Sequence, residues 1–206
     1  DGLASVIPMG IGLGITGFPY FAHDIAGYMS QLTVPATREL WFRWVTFGAL
    51  SPVMRTHHGR DAHLNWDWES DDDSTQHMAR WARFHIQLFP YLYRMAKEAA
   101  DAGAPMFRPL ALNFPNFIPG WTRSDQYMLG DRIFVAPVIE EGAVSREVYL
   151  PANTYYSLWG DSKWVSNGSD SFTVDVAVDE IAAFVPAGTI LSLLPPEIDT
   201  LVSSDR

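Results

Sequence analysis

The first 23 residues, DGLASVIPMGIGLGITGFPYFAH, are almost continuously apolar, and the run breaks off at His23 and Asp24. Its length suits a membrane span or a signal sequence, but it opens on Asp1 without a basic start and is interrupted by Pro8, Pro19 and five glycines. It reads instead as a buried helix followed by a short buried strand with Asp24 at its tip. Thr33, with Pro35 just inside the first turn, predicts the start of a helix. Leu40, Trp41, Trp44 and Val45 share the inner face of that helix, and Gly48 is the expected stop. Leu50 to Met54 forms a second short apolar run, ending in Arg55-Thr56-His57-His58-Gly59. The repeated order of strand, polar tip, loop and helix predicts a parallel α/β arrangement.

A polar loop, Arg60 to Glu69, precedes Asp71, Asp72, Asp73 and Ser74, whose charges suit a helix N-terminus because of the helix dipole. Met78, Trp81, His85, Leu88, Leu92, Met95 and Ala99 then recur at steps of three and four, one apolar stripe with Pro90 as a kink or restart and Gly103 as the stop. Beyond Gly103 the rhythm changes. DRIFVAPVI, REVYLP, YYSLW, KWV, SFTVDV, AAFVPAG and TILSLLP are short β-prone runs between turn residues, which predicts an antiparallel sandwich. The expected division is 1–104 for the α/β part, 105–194 for the sandwich, and 195–206 as a linker or the start of a further domain. A parallel sheet buries both faces and needs more than two strands to do so. The first part is therefore expected to be the end of a larger α/β domain.

Composition narrows the function classes. With 48 % apolar and 14 % aromatic residues in 206, the chain can build a proper core. Fourteen basic against 24 acidic residues leave a net charge of −10, which argues against nucleic acid or an anionic membrane as partner. The absence of cysteine excludes disulfides and thiolate chemistry but does not fix the compartment, and a soluble protein, cytoplasmic or secreted, is expected. Asn167-Gly168-Ser169 is a sequon with meaning only in a secretory eukaryotic host.

Gly12-Leu13-Gly14-Ile15-Thr16-Gly17 satisfies G-x-G-x-x-G, and Glu39 lies at a suitable distance for a ribose contact. Phe18-Pro19-Tyr20 follows, however, where a phosphate-gripping helix should open, so glycines that allow close helix–strand packing are the simpler explanation. His57, His58, Asp61 and His63 do not have the spacing of a zinc site, and adjacent residues on an extended chain point to opposite sides, so no metal is expected. His58 and His63 fit a solvated loop, and His85 fits a hydrogen-bonded core position. Neither a G-x-S-x-G elbow nor a P-loop is present. Asp24 and His57 remain, each just past a short apolar strand. Strand tips converge on one pocket in a (β/α)₈ barrel, and a carboxylate beside an imidazole can hold adjacent sugar hydroxyls. Tyr20, Tyr28, Trp66 and Trp68 are the aromatic faces available to stack on a pyranose. The alternative is that Asp24 is a structural ion-pair partner of Arg55 or Arg43.

At these residues the chain resembles glycoside hydrolase family 31. FAHDIAGY followed by PATRELWFRWVTFGALSPVMRTH is similar to the family's D-I-G-G-F-like tip, E-L-x-x-R-W stretch and G-A-x-x-P-x-x-R-x-H run. The likeness continues through LFPYLYRMAKEAADAGAPMFRPL, YMLGDRIFVAPVIEEGAVSREVYLP and VDEIAAFVPAGTIL, and so covers nearly the whole chain. It implies the last strands and helices of a (β/α)₈ TIM barrel followed by an all-β sandwich. It also implies a retaining exo-acting α-glycosidase, needing no cofactor, that removes terminal α-linked sugars from oligosaccharides or small glycosides. By the same resemblance Asp24 binds hydroxyls of the −1 sugar, His57 is a hydroxyl-binding histidine, Tyr28 lines that subsite, and Arg55 supports the tip. Ala26 stands where glycine is common, Tyr28 where phenylalanine is common, and His58 extends the R-x-H run. Tips of this kind are similar to members acting on sulfoquinovosides or on α-galactosidic and N-acetylgalactosaminidic bonds. Retaining hydrolysis uses two carboxyls about 5–5.5 Å apart. In the family both lie on earlier strands, the acid/base being expected shortly before Asp1. No catalytic residue is therefore expected in this chain, whose partner is the missing N-terminal part of the barrel, and the chain alone is expected to be inactive. A non-catalytic carbohydrate-binding or scaffolding homologue is the alternative.

Overall fold

The computed structural model describes residues 2–29, 34–59 and 61–202. Helix α1 (Gly2–Ile15) runs into strand β1 (Ala22–Asp24), and helix α2 (Arg38–Ala49) into strand β2 (Val53–Arg55). The apolar runs at Ile15 and Leu50 are thus mostly helix end and turn, and each strand is only three residues long. Thr33 lies outside the described residues. Helix α2 begins at Arg38, where the Thr37 side chain accepts a hydrogen bond from the Leu40 amide, the usual N-cap device. Gly48 does not stop this helix. It lies inside it, where a Cβ would come within 3.0 Å of Ile25, so it is there to let α2 close onto the strand.

Strands β1 and β2 pair in parallel with Ala22 opposite Val53, His23 opposite Met54 and Asp24 opposite Arg55. One face of this pair is buried: Phe21 fits against Gly10 of α1, Ile25 against Gly48 of α2, and His23 beneath Trp44 and Phe47. The other face, carrying Ala22, Asp24, Val53 and Arg55, is open to half-open.

The long stripe is two helices. Helix α3 (Asp72–Gln87) is capped by Asp71, whose side chain accepts from the Ser74 amide at 2.7 Å, and the chain restarts at helix α4 (Phe89–Ala102) with Pro90 in its first turn. Gly103 ends α4 in the left-handed conformation that glycine adopts without penalty.

The all-β part contains two strands beyond those expected, β3 (Phe107–Arg108) and β4 (Tyr127–Leu129). They are followed by β5 (Ile133–Ala136), β6 (Ser145–Tyr149), β7 (Asn153–Ser157), β8 (Lys163–Ser166), β9 (Ser171–Asp175) and β10 (Ala182–Pro186). A six-stranded sheet of order β3-β4-β5-β10-β7-β8 faces the two-stranded sheet β6-β9, all antiparallel. TILSLLP is not a strand. There the Ile190 carbonyl accepts from Arg132, and Leu191 packs on the core.

The two parts share one core. Phe107 stacks on Tyr127 at 3.9 Å between ring centroids and meets Phe47 of α2 edge-on. Tyr127 donates to the Leu50 carbonyl and Tyr91 to the Leu129 carbonyl. Buried Arg43 of α2 donates to the Ala143 and Ala177 carbonyls, each at 2.6 Å. The barrel-side helices are thereby fixed against the sandwich. Among the described residues no helix is long and apolar enough to cross a membrane.

Candidate active site

Parallel pairing brings the C-terminal ends of β1 and β2 side by side, and their next residues make the site. Arg55 Nε lies 2.8 Å from Asp24 Oδ1, a direct ion pair between register partners. The same guanidinium approaches His57, Nη2 to Nδ1, at 2.6 Å. An arginine only donates, so Nδ1 must be the acceptor, and the His57 proton sits on Nε2. Tyr28 meets the His57 ring edge-to-face at 5.0 Å, and its carbonyl accepts from the Gly59 amide at 2.8 Å. Asp24, Arg55, His57 and Tyr28 therefore form one connected row across two strand tips.

The turn after Asp24 aims this row. The Gly27 amide donates to the Asp24 carbonyl, with Ala26 at φ 65° and Gly27 at φ 86°. Both are left-handed, which a glycine takes freely and an alanine does not. The glycine common at position 26 among similar tips thus has a conformational reason, and Ala26 holds the same turn under strain.

The row offers an acceptor, a donor and an aromatic surface. Asp24 is 22 % exposed and, among the described residues, has Arg55 as its side-chain partner. Its second oxygen can accept from a ligand hydroxyl, while His57 Nε2–H can donate to a neighbouring one. Tyr28, 47 % exposed, adds a half-open ring and a hydroxyl. The ion pair weighed as the alternative to a binding role is present, with Arg55. Arg43 is not involved, being committed to Glu39 and the sandwich carbonyls.

Other aromatic candidates lie elsewhere. Tyr20 precedes β1 at its far end and donates to the Ala96 carbonyl of α4. Trp66 braces the start of α3 through Ser74, and Trp68 packs on the core. His85 is hydrogen-bonded to the Ala49 carbonyl, as expected of a core histidine. His63 is exposed, but His58 is not solvated: both its ring nitrogens are shielded, without a hydrogen-bond partner among the described residues. The G-x-G-x-x-G glycines belong to the end of α1, where Gly14 lets the helix touch the Phe107 carbonyl and Gly17 leaves it with φ 97°. A helix C-terminus presents carbonyls, the wrong end for a pyrophosphate.

Directly behind the tip sits a histidine that the sequence pattern did not single out. His23 accepts at Nδ1 from the Trp44 indole at 2.9 Å and stacks on Phe47 at 4.5 Å. Burial lowers its pKa to about 3, so it is a neutral, packed spacer between Asp24 and α2. The apolar residues flanking it, Phe21 and Ile25, were the available sign of a buried position.

A short parallel pair with helices on one face and polar tips at the C-terminal ends is what a piece of a (β/α)₈ barrel presents, here joined to a sandwich. Comparison with known proteins agrees. The family profile described as the glycosyl hydrolases family 31 TIM-barrel domain matches residues 1–95, and that of the glycosyl hydrolase family 31 C-terminal domain matches residues 103–191. The chain belongs to glycosyl hydrolase family 31. It is 38 % identical over 159 residues to a sulfoquinovosidase of Escherichia coli, covering 77 % of this chain and 24 % of that one. A Flavobacterium johnsoniae GH31 dextranase, solved with glucose, superposes with a TM-score of 0.85 at 34 % identity, over 93 % of this chain and 24 % of that one. A GH31 sulfoquinovosidase from E. rectale, solved with an aza-sugar inhibitor, gives a TM-score of 0.85 at 30 % identity, over 92 % and 28 %. The chain spans about a quarter of the length of the curated relatives it matches.

Proposed function

We propose that this chain supplies part of the −1 subsite of a retaining exo-acting α-glycosidase that hydrolyses terminal α-linked sugars of oligosaccharides or small glycosides. The observation that carries the reading is the connected row Asp24–Arg55–His57–Tyr28 at two adjacent strand tips. Asp24 accepts from one hydroxyl and His57 donates to the next, and Arg55 orients both through a single guanidinium. Asp24 is read as a binder rather than the nucleophile because its D-I-A-G-Y tip matches the family's sugar-binding aspartate, while the family's nucleophile lies on an earlier strand. The nucleophile and the acid/base belong to earlier strands of the barrel, which would pair with the edge of β1–β2, while the open face of that pair turns towards the barrel interior.

Sulfoquinovosides are the substrates to try first, because two of the similar curated proteins are sulfoquinovosidases and because Tyr28 adds a half-exposed phenol to the row. The test is a panel of aryl α-glycosides, including the glucoside, xyloside, galactoside, N-acetylgalactosaminide and sulfoquinovoside, given to the full-length protein. Aglycone release with the α-anomer as first-formed sugar by proton NMR supports the proposal. Sugar binding without release on every member favours the non-catalytic carbohydrate-binding alternative.

A further inference from the structure

Position 59 is glycine for a reason other than its backbone. Among the described residues positive φ falls on seven glycines, Gly17 to Gly188, and on Ala26 and Asp61, but not on Gly59. An alanine could therefore adopt its conformation. The three atoms nearest to a Cβ there all belong to the phenol end of Tyr28, with the hydroxyl oxygen at 2.7 Å and Cε2 at 2.8 Å. The Tyr28 ring lies against the bare Gly59 backbone, its carbonyl is held by the Gly59 amide, and His57 meets the same ring edge-to-face. The ring is 47 % exposed, so its far end can swing without disturbing a packed core.

We infer that Gly59 is a specificity-determining position: the missing side chain there sets where the Tyr28 hydroxyl stands beside His57 in the proposed sugar-binding row. The consequence for substrate rests on the glycosidase reading above, whereas the placement of the ring does not. A methyl at position 59 displaces the phenol sideways. The fold survives, because what moves is an exposed side-chain end, but the row changes.

A double-mutant cycle in the full-length protein tests this, using Gly59→Ala, Tyr28→Ala and the pair. Alongside it runs the ¹³Cζ NMR signal of Tyr28, identified by its loss in Tyr28→Phe. Gly59→Ala is expected to shift that signal and leave the thermal midpoint unchanged. It should also lower kcat/KM on the best α-glycoside on the order of tenfold, mainly through KM. On the Tyr28→Ala background the same substitution should add nothing, because the clash is gone. An unmoved signal, or a Gly59→Ala loss that persists in full without the Tyr28 ring, overturns the inference. Failure of the wild type to act on any α-glycoside overturns the glycosidase reading instead, and the NMR signal still decides whether Gly59 places the phenol.

Discussion

At the scale of single residues, the site is organised by one arginine and one strained turn. Arg55 gives Nε to Asp24 and Nη2 to His57, so two side chains of the tip row share one orienting partner. Ala26 carries the left-handed turn that aims them. The left-handed conformation costs a non-glycine residue about 1–2 kcal/mol, and glycine returns roughly 0.5–1 kcal/mol of that as unfolded-state entropy. Ala26→Gly is accordingly expected to raise stability by up to about 1 kcal/mol in urea denaturation, with kinetics unchanged. Equal or lower stability would contradict the strain argument. His23 makes a pH prediction. Its folded pKa, about 3, lies below the ordinary histidine value near 6.5, because burial disfavours the charged ring. His77 shifts the same way, to about 4. The unfolded chain binds these protons first, so stability is full above about pH 6.5 and falls as the pH drops towards 3. His23→Leu should flatten part of that slope, and parallel pH profiles for the two proteins would refute the assignment. At this scale the sequence pointed, by position and resemblance, to Asp24, Tyr28, Arg55 and His57, which the structure brings side by side. Their mutual contacts were not legible, because register and a shared guanidinium are tertiary facts. His58 illustrates the same limit, since its polar neighbours suggested solvent and the fold shields both ring nitrogens.

At the scale of elements, α2 is the part that ties the tips to the rest of the molecule. Its inner face packs on His23 and Ile25, and its Arg43 reaches the Ala143 and Ala177 carbonyls of the sandwich while buried. Charge-assisted hydrogen bonds of this kind contribute about 1.5–3 kcal/mol each. Arg43→Met should therefore destabilise the protein by roughly 2–4 kcal/mol in a denaturant titration, and a loss below the error of the titration would mean that the arginine is not the anchor. Periodicity located α3, α4 and their break at Pro90, because a stripe at steps of three and four and a proline are local signals. It failed where tertiary packing decides. Gly48 looked like a stop and is a contact glycine, and Leu50 looked like strand and is the turn after a helix. Strands β3 and β4 went unseen because they are two and three residues long and almost wholly buried, without the alternation that marks a half-exposed strand.

At the scale of the whole molecule, the β1–β2 pair is a sheet finished on one side only. Helices cover the face of Phe21, His23 and Ile25, while the face of Ala22, Asp24, Val53 and Arg55 is open. An open face of this kind is what the interior face of two neighbouring barrel strands presents. Asp24 and Arg55 of that face, with His57 and Tyr28 just beyond the strand ends, form the proposed sugar-binding row. The claim that joins these scales is that Asp24 grips the −1 sugar and tightens its hold as the oxocarbenium develops. Its most direct test is kcat/KM of Asp24→Asn in the full-length protein on its best α-glycoside. The account expects a fall on the order of a hundredfold, about 2.7 kcal/mol of transition-state binding, with the thermal midpoint little changed. An unaltered kcat/KM would leave Asp24 as no more than the ion-pair partner of Arg55.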